Sequence, residues 1–280
     1  MSENKNQWTE QELAYLMQNY EVMTQQEIAN HLNRTRSAVN LKASRLGLKK
    51  GFEYNRHFFN IIDTEAKAYW LGFIWADGCV QINTKTNSGE LSIELQVSDR
   101  GHLKKFNKCL DGNLQVRTRL RTGCFVGKYA DKEYETAFIR LSSIDVANDL
   151  VNLGCVECKS HIVGLPNLSD QLMWHFLRGF FDGDGCVCYT DHKTNLRCDF
   201  ASASQNLVNQ LRNWLYKQGI NTYVSIDRTK YRLCVAGKEN NLKFLSILYD
   251  NATIYLDRKY YKQKNIRDSL TDGTTSCLAI

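Results

Sequence analysis

Residues 70–78 read Trp-Leu-Gly-Phe-Ile-Trp-Ala-Asp-Gly, residues 177–185 read Leu-Arg-Gly-Phe-Phe-Asp-Gly-Asp-Gly, and both continue with Cys-Val. At one constant offset Gly72 matches Gly179, Asp77 matches Asp184, Gly78 matches Gly185, Val80 matches Val187 and Gly112 matches Gly219. So long a period describes a duplicated domain, since solenoid repeats run to roughly 20–50 residues. Each copy is an apolar run of helical length with small residues four apart, Gly72/Ala76 and Gly179/Gly183. Small residues at i and i+4 share one helix face and let two backbones approach closely. Each run then reaches an aspartate followed by glycine, the residue that most easily takes the left-handed conformation closing a helix. The pattern predicts two helices packed through Gly72, Ala76, Gly179 and Gly183, with Asp77 and Asp184 side by side at their C-terminal ends. Like charges held close there, where the helix dipole already disfavours them, must neutralise, shift their pKa values or bind a cation.

Residues 1–50 carry two capping boxes, Thr9-x-x-Glu12 and Thr24-x-x-Glu27, each ahead of an apolar helical run. A turn at Asn33-Arg34-Thr35 leads to a third helix with Ala38, Val39, Leu41 and Leu46 and a stop at Gly47. This reads as a helix-turn-helix whose Arg34, Arg36, Ser37, Asn40, Lys42 and Arg45 reach phosphates or base edges in a major groove. Residues 51–62 lose the helical period and read as a linker.

The first repeat, 63–165, follows its motif helix with alternating strands at 79–84 and 91–97 and a helix ending at Gly112. Strand 115–121 places Arg117, Arg119 and Arg121 on one face, strand 137–142 carries Arg140, and a helix over 145–153 closes the repeat. The second repeat, 166–270, matches it: strands at 186–190 and 196–201, helix 207–218, strands 221–226 and 231–236, helix 240–249. Residues 271–280 show no pattern and read as a frayed tail. The fold class is α+β: two αββαββα repeats, each a sheet with helices on its apolar face, joined through the motif helices as a pseudo-twofold saddle behind a small all-α module.

A net charge of +6 permits nucleic acid as a partner. The polar start lacks a signal peptide, and the apolar run Ala68–Ala76 is too short to span a bilayer. These features suggest a cytoplasmic protein, or one of an organelle matrix. The ten cysteines are then expected to be reduced, and Cys155-Val-Glu-Cys158 with His161 lacks the second ligand pair of a zinc site. His57, His102, His161, His175 and His192 have no counterparts between the repeats, which argues against histidine-based nuclease chemistry.

The paired motifs resemble the LAGLIDADG homing endonucleases in their single-chain, two-motif form, over about residues 60–265. The first module is similar to Myb-like helix-turn-helix modules appended to mobile endonucleases, through Trp8, Glu27-Ile28-Ala29, Arg34-Thr35, Ala38-Val39 and Arg45-Leu46-Gly47-Leu48. The resemblance implies a monomeric endonuclease cutting both strands of a specific DNA site, with Asp77 and Asp184 as catalytic residues holding Mg²⁺ or another divalent cation. Gln81, Asn83, Gln96 and Arg140 would read sequence, while Arg117, Arg119, Arg121, Arg197 and Arg232, with Arg228 and Lys230, would meet phosphates. Around the catalytic water it implies Asp99 and its counterpart Ser204 or Gln205. A lysine that many members carry near the fourth strand falls here near Ser142 and Ala236, leaving Lys85, Lys193 and Lys238 as candidates. Asp182, opposite Trp75 in the other motif, points elsewhere on its helix. Rival readings are a non-cleaving DNA-binding regulator, which retention of both acids opposes, and an RNA maturase, in which the helix-turn-helix is unexpected. An intein would need a terminal His-Asn that the chain lacks.

Overall fold

The computed structural model describes residues 7–20, 23–48, 52–122, 133–155, 164–190, 195–227 and 230–275. Two compact units divide between Glu53 and Tyr54.

The first unit contains α1 (Glu10–Asn19), α2 (Gln25–His31) and α3 (Arg36–Arg45). Both capping boxes form: Thr9 and Thr24 accept from the amides of Glu12 and Glu27, whose carboxylates accept from the Thr amides in return. Asn33, at φ 51°, turns the chain between α2 and α3 in the left-handed region that asparagine tolerates. Leu16, Ile28, Ala29, Val39 and Ala43 are fully buried between the helices.

The second unit begins at Tyr54, and the stretch expected as a linker contributes Phe58 and Phe59 to its core. Its first half runs α4 (Glu65–Asp77), β1 (Gly78–Asn83), β2 (Ser88–Gln96), α5 (Arg100–Cys109), β3 (Arg117–Thr122), β4 (Glu133–Ser142) and α6 (Ile144–Asn152). Its second half runs α7 (Asp170–Asp184), β5 (Gly185–Thr190), β6 (Asn195–Ser202), α8 (Gln205–Lys217), β7 (Thr222–Asp227), β8 (Lys230–Val235) and α9 (Gly237–Tyr249). Each half is the expected αββαββα. The antiparallel sheets have equivalent orders, β1-β2-β4-β3 and β5-β6-β8-β7. Strand alternation sends Val80, Leu91, Ile93, Ile139 and Leu141 inward in one sheet and Val187, Cys198, Phe200 and Leu233 inward in the other. In both, the motif helix feeds the equivalent edge strand, with Gly78 opposite Ile93 and Gly185 opposite Phe200.

Two features depart from the sequence reading. A final helix, α10 (Asp257–Thr275), includes residues 271–275, expected as tail. Its buried positions include Lys259, Gln263 and Ile266, at helical spacing; two of these are polar, so the apolar period is masked. The glycines after the acids are also not left-handed. Gly78 and Gly185 are extended, at φ −80° and −73°, and each helix passes directly into its strand. Space is what excludes a side chain: a Cβ on Gly78 would stand 2.6 Å from Ile74 Cγ2, and one on Gly185 would stand 2.6 Å from Phe181 Cγ.

Candidate active site at the ends of the paired helices

Helices α4 and α7 touch backbone to backbone. A methyl on Gly72 would run into the Phe176 carbonyl and lie 2.9 Å from the Phe180 amide nitrogen. On Gly179 it would run into the Tyr69 carbonyl and lie 2.8 Å from the Phe73 nitrogen. One turn further on, Gly183 faces Ala76, and a Cβ there would stand 3.1 Å from Asp77 Oδ2. The Asp77 carboxylate therefore lies against the residue that precedes Asp184. Asp77 is half-buried and Asp184 exposed, each as the last residue of its helix. Among the described residues no cluster of three or more His, Cys, Asp or Glu side chains is placed to share a metal. Two carboxylates at adjoining helix ends fit a hard cation that keeps most coordination positions for water and substrate oxygens.

Buried polar groups fix this geometry. Arg178, 2% exposed, donates to the carbonyls of Ile254 (2.9 Å) and Leu248 (3.0 Å) and to Glu65 Oε1 in the first turn of α4 (2.5 Å). Asp182 is fully buried and accepts from Tyr69 Oη (2.7 Å), Tyr249 Oη (2.6 Å) and the Leu256 amide (2.7 Å). Burial pushes its pKa up, and these donors pull it back. His102 Nε2 lies 3.1 Å from Tyr69 Oη. With the Tyr69 proton given to Asp182, that nitrogen is the donor and the imidazole is neutral, in keeping with a pKa that burial brings down to about 3. Asp182 is thus structural while Asp184, two residues on, faces solvent. The side chains joining the two halves come from α4, α5, α7 and α9.

Helix α10 also lies at this end. Lys259 is buried, and its Nζ donates to the carbonyls of Phe181 (3.1 Å) and Gly185, capping the end of α7 as cations do at a helix C-terminus. Tyr189 on β5 donates to the Ile266 carbonyl (3.3 Å).

Residues 172–249 match the LAGLIDADG-like domain family. The homing endonuclease I-WcaI bound to its DNA recognition sequence superposes with a TM-score of 0.55 at 12% identity, over 71% of this chain and 87% of that one. The fold is the LAGLIDADG fold. I-DmoI in complex with DNA and Ca gives a TM-score of 0.49 at 14% identity, over 72% of this chain and 97% of that one. Full-length DUF199/WhiA from Thermatoga maritima gives 0.46 at 18% identity, over 77% and 64%. No curated protein sequence matches the chain.

On this LAGLIDADG scaffold, several side chains expected at DNA are committed within the protein. Arg119 and Arg121 both pair with Glu94 on the neighbouring face of β2, and Thr136 donates to the same carboxylate at 2.6 Å. These contacts hold Glu94 well below the usual carboxylate range. The face on which Arg117, Arg119 and Arg121 were expected together therefore mixes both signs. Arg197 (3.0 Å) and Arg232 (2.6 Å) likewise share Asp199, which is 1% exposed. Arg34 is held bidentate by Glu12, at 2.8 and 2.9 Å, and stacks over Trp8, so it locks the turn to α1 instead of facing outward.

Asn83 Oδ1 accepts from the Lys85 and Thr86 amides (3.0 and 3.3 Å) and shapes the β1–β2 hairpin. Asp99 is buried and bound by Arg258 (2.7 Å) and Gln96 (3.0 Å), so both it and Gln96 are engaged. Ser204 caps α8 through the Leu207 amide, and Gln205 accepts from Tyr231 Oη at 3.3 Å. Gln81, Arg117, Arg140, Arg36, Asn40, Arg45 and Lys238 are exposed. Arg140 lies 3.8 Å from Glu90, Arg117 contacts Gln115 Oε1 at 3.2 Å, and Asn40 accepts from Gln25 at 3.2 Å. Cys158, His161, Lys193 and Arg228 lie outside the described residues. Among the described residues no helix is long and apolar enough to cross a membrane.

Sequence reasoning missed Arg178, Lys259 and the cationic face of α10. The first two are charged residues at helical spacing with buried neighbours, a signal that is read as exposure unless their partners are known.

Proposed function

We propose that this protein is a site-specific double-strand DNA endonuclease of the homing type, hydrolysing phosphodiester bonds with Mg²⁺ or a similar cation held by Asp77 and Asp184. The observation that supports the reading is the approach of the Asp77 carboxylate to Gly183, the residue before Asp184, at the ends of two helices tied together by Arg178 and Asp182. When bound, such a cation supplies Lewis-acid stabilisation of the phosphate and a more acidic water. The carboxylates' part is to hold it.

I-WcaI, which shares this fold, is a homing endonuclease seen on its DNA recognition sequence. Duplex DNA is the partner this reading assigns here. Exposed Gln81, Arg117 and Arg140 on the outward sheet face would contact it, and Arg36, Asn40 and Arg45 on α3 would add a second, tethered contact. The protein would act as a monomer, since both acids come from one chain.

The test is to incubate the full-length protein with a random-sequence duplex pool, with and without Mg²⁺, and to sequence the cut ends. The expected result is one discrete site cut on both strands, lost with Asp77→Asn. Binding without cuts in any divalent metal would replace this reading with that of a non-cleaving DNA-binding regulator.

A further inference from the structure

Beside Asp184, α10 walls a cleft of about 370 Å³. Gly183 and Gly185 contribute backbone to it, and Arg258, Lys259 and Lys262 line it with positive charge. Two of these cations are already engaged. Arg258 is 2.7 Å from the Asp99 carboxylate, and Lys259 holds the Phe181 and Gly185 carbonyls. Lys262 differs. It is exposed at the rim of the cleft. Among the described residues Lys262 has no carboxylate partner. Glycine backbone admits a close approach, and an unpaired ammonium at its rim suits a compact oxyanion such as a phosphodiester oxygen.

We propose that Lys262 is a phosphate-contacting residue of the second half of the site, engaging a DNA strand beside Asp184, and that Lys259 is the positioning residue that pins α10 to the end of α7. The proposal rests on the DNA-cleaving reading above. Helix α10 follows the duplicated αββαββα unit and, among the described residues, has no copy in the first half. The two strands of the target should therefore depend on Lys262 unequally.

The test uses the full-length protein and one duplex recovered from a random-sequence pool by wild-type binding in EDTA. Binding is titrated over a series of KCl concentrations for wild type, Lys262→Met, Lys262→Arg and Lys264→Met. Each lost phosphate contact lowers the slope of log K against log salt by about 0.9. Lys262→Met should show that drop and Lys262→Arg should restore the slope. Lys264→Met, on the same helix but outside the cleft, should leave it unchanged.

On a supercoiled plasmid bearing the site, with Mg²⁺, Lys262→Met should accumulate nicked circle, one strand being cut roughly 10²-fold more slowly, as for loss of one oxyanion donor. An unchanged slope for Lys262→Met, or equal slowing of both strands, overturns the proposal. If wild type binds but cuts nothing, the nuclease reading fails while the slope still decides whether Lys262 meets phosphate. If wild type binds no duplex, both fail.

Discussion

Gly179→Ala is the substitution whose outcome the helix contact dictates most sharply. The added methyl would stand 2.8 Å from the Phe73 nitrogen and closer still to the Tyr69 carbonyl oxygen. Non-bonded contacts of carbon settle near 3.5–4.0 Å, so relieving the closest of these contacts requires α4 and α7 to part by roughly 1.5 Å. Their contact is flanked by fully buried Tyr69, Phe73 and Phe176, which cannot yield separately. Overpacking of this kind costs towards about 3 kcal/mol. Alanine's better helix propensity offsets about 1 kcal/mol of it, for a net loss of roughly 2 kcal/mol. In a unit of this size that is a fall in Tm of about 4–8 °C. Gly101→Ala is the matched control, because a methyl on that helical glycine meets nothing within 4 Å and should raise Tm slightly. Circular dichroism melts of the two variants decide the matter. Below its melting temperature Gly179→Ala should also cut DNA more slowly, since the same displacement separates Asp77 from Asp184. A Gly179→Ala protein that melts as high as Gly101→Ala would refute the backbone contact and the convergence of acids built on it.

Neighbouring acids should give opposite phenotypes: Asp182→Ala strands three donors and should cost roughly 3 kcal/mol or more in urea melts, whereas Asp184→Asn should keep the wild-type midpoint and abolish cleavage. Glu94→Gln should release Arg119 and Arg121, tightening binding to mixed-sequence duplex and steepening its salt slope by up to about 1.8, read by fluorescence anisotropy. His102 is held neutral with its pKa lowered from 6.5 to about 3, so between those values the unfolded chain binds the extra proton and stability falls as pH falls. From pH 6.5 to pH 5 the loss should be about 2 kcal/mol, and melts of His102→Asn should lack that slope.

Local signals accounted for most of the architecture. The capping boxes at Thr9 and Thr24, the alternation of Leu91, Ile93 and Leu95, and the small residues of the motifs each act over four residues or fewer, so their outcome is written where they stand. Other outcomes depend on distant partners. Glu94 meets Arg119 and Arg121 only because β4 lies between β2 and β3, and Asp199 reaches Arg232 only across the β6–β8 pairing. A row of arginines in period two therefore looks the same in sequence whether it faces solvent or a carboxylate. Helix α10 escaped notice for a related reason: Lys259 and Gln263 occupy buried positions where a periodicity argument expects apolar residues. At Gly78 and Gly185 glycine was legible but its reason was not, because crowding by Ile74 and Phe181, and not a left-handed turn, excludes a side chain.

On the proposed reading, the two motif helices deliver their last residues, Asp77 and Asp184, to one cation at the DNA. Anomalous scattering from Mn²⁺ in crystals of the protein on its selected duplex tests it most directly. A peak within coordinating distance of both the Asp77 and Asp184 carboxylates is the predicted result. Manganese bound elsewhere, with those carboxylates turned away from the DNA, would contradict it.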